Sequence, residues 1–595
     1  MFVVEHVAWE RIHLQIAIRM EDEAPSTEAL QFYLVNKSGL VKSSFRILSH
    51  TADHFSLSLN ITNSGVNRCI PNGTYRILVS ADEKTFEPVL FFGKAEELAA
   101  MGRNFNYLSN KGTYTVSFMV DEYSEQPELL LLFFNAKTGT YSDKALPGVK
   151  SKRVPIKKRI KKGVSSSLRK WMLKAQERIY RFVRKQYKKK AKKHILFLSE
   201  KDEKLALNME AIYQRMLERG LDKDYVIDFS LRNSAVKKYS KLSTARMTLQ
   251  VAKASIILVD DHVPLFDRLM LDKDTRLIQI WHAGAGFKGV GYSRWGHFGC
   301  PGVFSCHRQY TYCLSGSKAI SHFFSEQFGI LDEQIIPTGM PRMDAYMDPV
   351  HREETCRMLY ERYPHFKDRH VVLFAPTYRG QTRKNAYYPY QLIDFEGLYR
   401  YCLEKDAVIL FKMHPWVASE VPIKEAYQDR FFNLNDYPSI NDLFYITDLL
   451  ITDYSSSMYE FLLMNKPMLF FPFDKNQYAT SRGFHRDYDS NVPGKICKTF
   501  DELLRAMNAE EYEFEKVGQM LAQYFDNVDT HNCDRVIDWL VLDQLPEVYR
   551  EALEKRQEQV HHVRSLKFKK ENSRRLCLCT EKQDGAEDKP HSLMG

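Results

Sequence analysis

Several stretches of this chain set hydrogen-bonding residues directly after short apolar runs. In QIWHAGAGFKGVGYS, His282 follows the run that ends at Trp281, and Gly284, Gly286, Gly289 and Gly291 surround Lys288. An imidazole whose ordinary pKa is about 6.5 can take a proton from a bound hydroxyl, so His282 is the candidate general base. A histidine buried for packing alone is the competing reading. Lys288 is a cation for phosphate, or a plain surface lysine. After VVLFAP comes Thr377-Tyr378-Arg379-Gly380, where the Arg379 guanidinium can grip a phosphate with two parallel bonds. AVILFKM delivers His414 ahead of Pro415, a second imidazole able to donate to a pyrophosphate oxygen.

The stretch LLITDYSSSMYEFLLMNKPMLFFPFD carries Thr452, Asp453, Ser455 and Ser456 between an apolar run and a helical pattern. Hydroxyls and unpaired N–H groups at such a junction can seat a diphosphate; the serines can equally cap the helix, and both can hold together. Asp453 would orient the loop. No GxxxxGK[ST] loop, HExxH helix or GxSxG elbow occurs, which argues against the corresponding nucleotide hydrolases, zincins and serine esterases. Phosphoryl or glycosyl transfer from a nucleotide donor fits best. No cage of acids is evident, so no metal site and no cofactor are expected, and any Mg²⁺ used would be weakly held.

These residues need elements that present them at one edge. From residue 195 onward, apolar runs such as HILFLSE, SIILVDD, RLIQIW, HVVLFAP and LLITDYS alternate with helical patterns, the mark of parallel α/β layers. Ligands of such sheets sit beyond the carboxyl ends of the strands, which is where the candidate residues fall. The expected units are 195–368 as a first doubly wound α/β domain carrying His282, and 369–545 as a second one on the donor side, with a cleft between them. Residues 1–148 instead read as short strands with turns at Asn63-Ser64-Gly65 and Pro71-Asn72-Gly73, predicting a β-sandwich accessory domain. Residues 546–595 are expected to be the end of a helix and a polar tail.

The 149–194 segment between them carries the charge. Of the 595 residues, 27% are charged and 44% hydrophobic, values of an ordinary folded protein, with formal net charge +10. Residues 150–193 contain 20 Lys and Arg against one acid, Glu177, so the basic excess lies there. Leu168, Met172, Ala175, Ile179, Phe182 and Gln186 recur at helical spacing with Trp171 beside them. This predicts a basic amphipathic helix lying on an anionic membrane surface through Trp171, Lys174, Arg178, Arg181, Arg184 and Lys185. A solvated interdomain helix is the bland alternative, and no nucleic-acid reader motif accompanies the charge. No run of about 18 apolar residues occurs, and Glu5, Glu10 and Arg11 interrupt the opening, so a peripheral location on the cytoplasmic face of the membrane is expected. The ten cysteines lack metal or disulfide spacing and read as reduced thiols.

Taken together and in order, QIWHAGAGFKGVG, PTGMPRMD at 337–344, APTYR at 375–379, KMHP at 412–415 and ITDYSSSMYEF through KPMLFFPFD resemble the CDP-glycerol glycerophosphotransferase family, over about residues 195–545. The resemblance implies a GT-B-like pair of α/β domains and a CDP-alditol donor held by the second. It also implies a lipid-linked polymer acceptor and peripheral attachment through basic helices. His282 matches the catalytic histidine; Arg379, His414, Ser455 and Ser456 match the donor side. The chain departs from the family at Ala283-Gly284-Ala285-Gly286, where many members have Thr-Pro-Leu-Lys soon after the histidine. Transfer of glycerol phosphate or ribitol phosphate in teichoic acid or capsule synthesis, with release of CMP, is the implied reaction. A nucleotide-sugar GT-B glycosyltransferase and a non-catalytic membrane scaffold are the alternatives, and a homo-oligomer is compatible with the chain.

Overall fold

The computed structural model describes all residues except 22–28, 37–41, 65–66, 83–84, 109–110, 122–123, 138–155, 190–192, 235–236, 282–288, 298, 381–382, 482 and 555–595. Within the helix Ile156–Tyr187, side chains are described from residue 171 onward. Strict alternation builds the first part of the chain. In His13–Met20, Leu14, Ile16 and Ile18 turn inward while Arg19 faces solvent. The strands expected to form a β-sandwich share one eleven-stranded network of backbone hydrogen bonds. Their common core includes Leu14, Phe32, Tyr114 and Leu131.

Two six-stranded sheets follow, both parallel and both buried on two faces, which is why their strands read as unbroken apolar runs. In the first, the order is Val226–Leu231, His194–Ser199, Ile256–Val259, Arg276–Gln279, Tyr312–Leu314, Ile335–Ile336. In the second it is Phe431–Asn433, Ala407–Phe411, His370–Phe374, Leu449–Thr452, Met468–Phe470, Lys495–Ile496. Chain direction therefore reverses its march across the second sheet between His370–Phe374 and Leu449–Thr452. The loops leaving these two strands, 375–380 and 453–457, flank the crevice that a doubly wound sheet offers to a ligand.

Contacts among the units differ from a simple string of domains. Val536, Ile537 and Leu540 pack into the same apolar cluster as Ile195, Ile256 and Leu314 of the first sheet. Asp344 accepts the Asn532 and Cys533 amides at 2.8 and 2.7 Å. The chain thus returns to the first unit from about residue 532, earlier than the boundary placed at 545. The segment after the 282–288 loop also reaches outward. Trp295, 2% exposed, lies with its ring 4.9 Å from Tyr114 and 5.7 Å from Phe105, inside the core of the N-terminal strands. Gly291 makes this path possible: its φ is +54° and a Cβ there would sit 2.1 Å from the Gln327 carbonyl oxygen.

The basic helix forms as expected, but its faces divide differently. Tyr180 and Val183 pack into the large core of the first sheet, and Gln176 donates to Thr248 Oγ1 at 2.6 Å. Arg184, expected on the membrane side, is 3% exposed and donates to the Ala254 carbonyl at 2.9 Å and the Asp274 carbonyl at 3.4 Å. Two carbonyls at the start of buried strands need donors, and a long guanidinium supplies them. Trp171, Ile179 and Phe182 point outward at 66%, 50% and 67% exposure, interleaved with exposed Lys174, Arg178, Arg181 and Lys185. Among the described residues no helix is long and apolar enough to cross a membrane.

Candidate functional site

Three of the sequence motifs meet at the carboxyl edge of the second sheet. The Asp453 carboxylate, 1% exposed, accepts the Thr377 amide at 2.7 Å and an Arg379 N–H at 2.8 Å. Thr452 Oγ1 donates to the Ala375 carbonyl at 2.7 Å. Tyr378 places its ring 4.5 Å from that of half-buried His414 and 4.9 Å from Trp416. The Trp416 amide donates to His414 Nδ1 at 3.1 Å, so Nε2 is the nitrogen that carries the proton in the neutral ring. Beside them, Ser455 and Ser457 hydroxyls lie 2.8 Å apart, Ser455 Oγ accepts the Ser457 amide at 3.4 Å, and Ser455, Ser456 and Ser457 are all half-buried at the head of the short helix Met458–Phe461.

Arg379 does not have the role its type suggests. Its Nε and Nη2 bond the two Asp474 oxygens at 2.6 and 2.8 Å, and Nη1 bonds Asp453 Oδ2 and the Thr377 carbonyl at 2.8 and 2.6 Å. Burial opposes its charge, but the facing Asp453 and Asp474 outweigh burial and hold the guanidinium more firmly protonated than usual. A fork filled by two carboxylates has no second edge for a phosphate. Arg379 is therefore a brace that ties the 375–380 and 453–457 loops to Asp474, and Thr452 and Asp453 belong to the same bracing. His414 and the serine turn lie at the same edge, half-buried and outside that bracing.

The approach to His282 is also built. His282 and Lys288 lie outside the described residues, but Trp281 just ahead has φ of +42°, a strained conformation for an aromatic residue. The Gln279 side chain accepts the Trp281 amide at 2.9 Å, and the Asn208 amide donates to the Trp281 carbonyl at 2.7 Å. Asn208 Oδ1 accepts the Arg342 amide at 3.1 Å, and the Arg342 side chain pairs with Glu460 on the helix after the serine turn. Thus the PTGMPRMD motif links the end of the strand that precedes His282 to the helix after the serine turn, across the two sheets.

Two features escaped the sequence reading. The Asp260 carboxyl is lifted to about 6, chiefly by burial, although it accepts the Ser199 hydroxyl at 3.0 Å. Its signal was the Asp260-Asp261-His262 run at a strand end. His262, Asp267 and Cys306 also bring ligand-type atoms within 4.8 Å of one another. They already bond among themselves, His262 Nε2 to Asp267 at 3.1 Å and the Cys306 amide to Asp267 at 2.8 Å. Burial works against a charge on His262, but Asp267 and Cys306 hold its pKa up to about 10, which makes this an ion pair as it stands. The eight cysteines among the described residues are all free thiols.

Known proteins share this α/β architecture and these motif segments' span of the chain. Residues 179–542 match the sequence model of the CDP-Glycerol:Poly(glycerophosphate) glycerophosphotransferase family, and the chain belongs to that family. It is 39% identical over 344 residues to the teichoic acid ribitol-phosphate polymerase TarL of Staphylococcus aureus, covering 58% of this chain and 61% of that one. It is 36% identical over 363 residues to a teichoic acid poly(ribitol-phosphate) polymerase of Bacillus spizizenii, covering 61% and 58%. The chain thus spans about three fifths of the length of these relatives. A solved histidine variant of the wall teichoic acid polymerase TagF shares the fold at TM-score 0.51 and 22% identity, covering 68% of this chain and all of that one.

Proposed function

We propose that the protein transfers an alditol phosphate from a CDP-alditol to the end of a membrane-linked polymer and releases CMP. The observation that carries this reading is the meeting of the family's APTYR, KMHP and TDYSSS motifs at the crevice of the second sheet. Three relatives named as ribitol-phosphate polymerases match at 36–39% identity, while a ribitol-phosphate primase matches at 27% and those named for glycerol phosphate at 26–28%, so the nearer matches favour ribitol phosphate as the unit moved. The two parallel sheets act as a GT-B-like pair, and the N-terminal strands as a sandwich-like support docked through Trp295.

In this mechanism His282 takes the proton of the acceptor's terminal hydroxyl, whose oxygen attacks the alditol-bearing phosphorus as the bond to the CMP oxygen breaks. His414 donates from Nε2 to the departing phosphate, and the Ser455–Ser456 turn and Lys288 meet the remaining charge. Positioning and electrostatics supply the rate, with no covalent intermediate. The outward Trp171, Ile179 and Phe182, set among cations, hold the enzyme on an anionic membrane face. CMP release is measured with CDP-ribitol, CDP-glycerol or nucleotide sugars, a lipid-linked acceptor and anionic vesicles. Acceptor-dependent CMP from CDP-ribitol, abolished in His282→Ala while donor binding persists, is expected. Release from a nucleotide sugar alone would make it a glycosyltransferase, and no release from any donor would leave a scaffold.

A further inference from the structure

Away from the crevice of the second sheet, His262, Asp267 and Cys306 bring an imidazole nitrogen, a carboxylate oxygen and a thiol sulfur within 4.8 Å of one another. His262 Nε2 stands 3.1 Å from Asp267 Oδ2. The ligand atoms of a tetrahedral zinc, each about 2.0–2.3 Å from the metal, stand about 3.3–3.6 Å apart, so small side-chain shifts put all three on one ion.

Both loops that carry these groups are held by packing and hydrogen bonds of their own. Val263, Leu265 and Phe266 are buried in the core of the first sheet, which fixes the chain between His262 and Asp267. Cys306 opens the short helix Cys306–Gln309. The Gln309 side chain donates to the Phe266 and Leu269 carbonyls at 2.6 and 3.0 Å and accepts the Leu271 amide at 2.9 Å, so the two loops are already clamped together. The Cys306 amide donates to Asp267 Oδ1 at 2.8 Å and so orients that carboxylate, with Oδ2 beside His262.

Cys306 is fully buried, whereas the His262 and Asp267 side chains are 39% and 33% exposed, so the cluster is closed on its sulfur side and open to solvent on the other. Of the neighbouring cations, Arg308 turns away to the Thr62 and Gly329 carbonyls, and Arg268 is exposed, where its charge is screened. A divalent ion held by one thiolate, one carboxylate and one neutral imidazole leaves no net charge to bury.

We propose that His262, Asp267 and Cys306 bind one zinc ion, with solvent in the fourth position, and that the ion clips the 262–267 loop to the turn that opens at Cys306. A thiolate and an imidazole select zinc over magnesium, which prefers oxygen ligands. Ligation requires both groups deprotonated, so zinc takes the place of their protons and binding weakens toward acid pH. The clip lies beside the strand that leads to His282. Gln279 donates to the Tyr310 hydroxyl at 2.8 Å, that hydroxyl lies 2.7 Å from His307 Nδ1, and the His307 ring packs 5.4 Å from that of His262.

The full chain, stripped of metal with a chelator, is titrated with cobalt(II) and, against a chromophoric chelator, with zinc. One ion per chain is expected, with the near-ultraviolet charge-transfer band that marks a thiolate bound to cobalt. Cys306→Ser should abolish that band. His262→Ala and Asp267→Asn, at half-exposed positions, should each weaken zinc binding roughly tenfold or more, with circular dichroism confirming that each variant is folded. Zinc should also raise the unfolding temperature of the parent and leave that of His262→Ala unchanged. No saturable zinc binding, a cobalt complex without the thiolate band, or zinc held equally by the folded His262→Ala chain overturns the site. Because the readout is metal binding, the result stands apart from whether CMP is released.

Discussion

Among single side chains, residue type and residue role part company most clearly at Arg379. An arginine at a strand end of a doubly wound sheet invites a phosphate, yet Asp453 and Asp474 already fill its fork. Arg379→Ala should cost about 3–5 kcal/mol in urea unfolding, since it strands the buried Asp453 and the half-buried Asp474 carboxylates. Arg379→Lys should recover little of that, because an ammonium cannot bridge both acids in the same plane. Asp260 gives a pH test. Its folded pKa of about 6 lies above the ordinary 3.8, so the fold favours the protonated form, and its contribution is lost as pH rises through 6. Asp260→Asn should therefore stabilise the protein at pH 8 by on the order of 1–3 kcal/mol and by almost nothing at pH 4, as read from unfolding free energies across pH.

Among elements, the basic helix has two unlike faces. The inward face, Gln176, Tyr180, Val183 and Arg184, fastens it to the first sheet. The outward face carries Trp171, Ile179 and Phe182 among cations. Arg184→Ala should cost about 1–3 kcal/mol, because two carbonyls lose their donor in a buried place. Arg181→Ala should change stability by less than about 0.5 kcal/mol and weaken binding to phosphatidylglycerol vesicles in a salt-dependent way. Sedimentation with vesicles at two salt concentrations, alongside urea unfolding, separates the two effects. Helical spacing announced the helix correctly. It could not choose between a stripe through Ile179 and Phe182 and one through Tyr180 and Val183, because both recur at three and four residues and only the neighbouring sheet decides which is covered.

Across the whole molecule, the three folded parts meet around Glu326. Its carboxylate faces His485 of the second α/β unit at 2.8 Å, and His13 at 3.3 Å and Arg11 at 3.5 Å from the N-terminal strands. Arg308 spans a second seam, donating to the Thr62 carbonyl at 2.6 Å and the Gly329 carbonyl at 2.9 Å. Trp295 is the apolar pin of that seam. Trp295→Ala should cost about 3–5 kcal/mol and make the N-terminal strands more open to limited proteolysis, while CDP binding at the second sheet stays close to that of the parent. Equal proteolysis of parent and variant would show that the pin does not hold the domain in place.

Local pattern and composition were enough to identify the alternating α/β run, the antiparallel strands before it, the basic helix and the motif segments of the crevice. Each depends on periodicity, chain punctuation or charge counted along the chain. Roles that depend on distant partners were not legible there. Arg379 became a brace through Asp474, 95 residues away. Arg184 turned inward to the Ala254 carbonyl, 70 residues on. Residues 532–541 returned to the first sheet by burying Val536, Ile537 and Leu540 against Ile195 and Ile256. The free edge of a side chain is set by whichever group fills its other donors, and that group is chosen by how the layers close over one another.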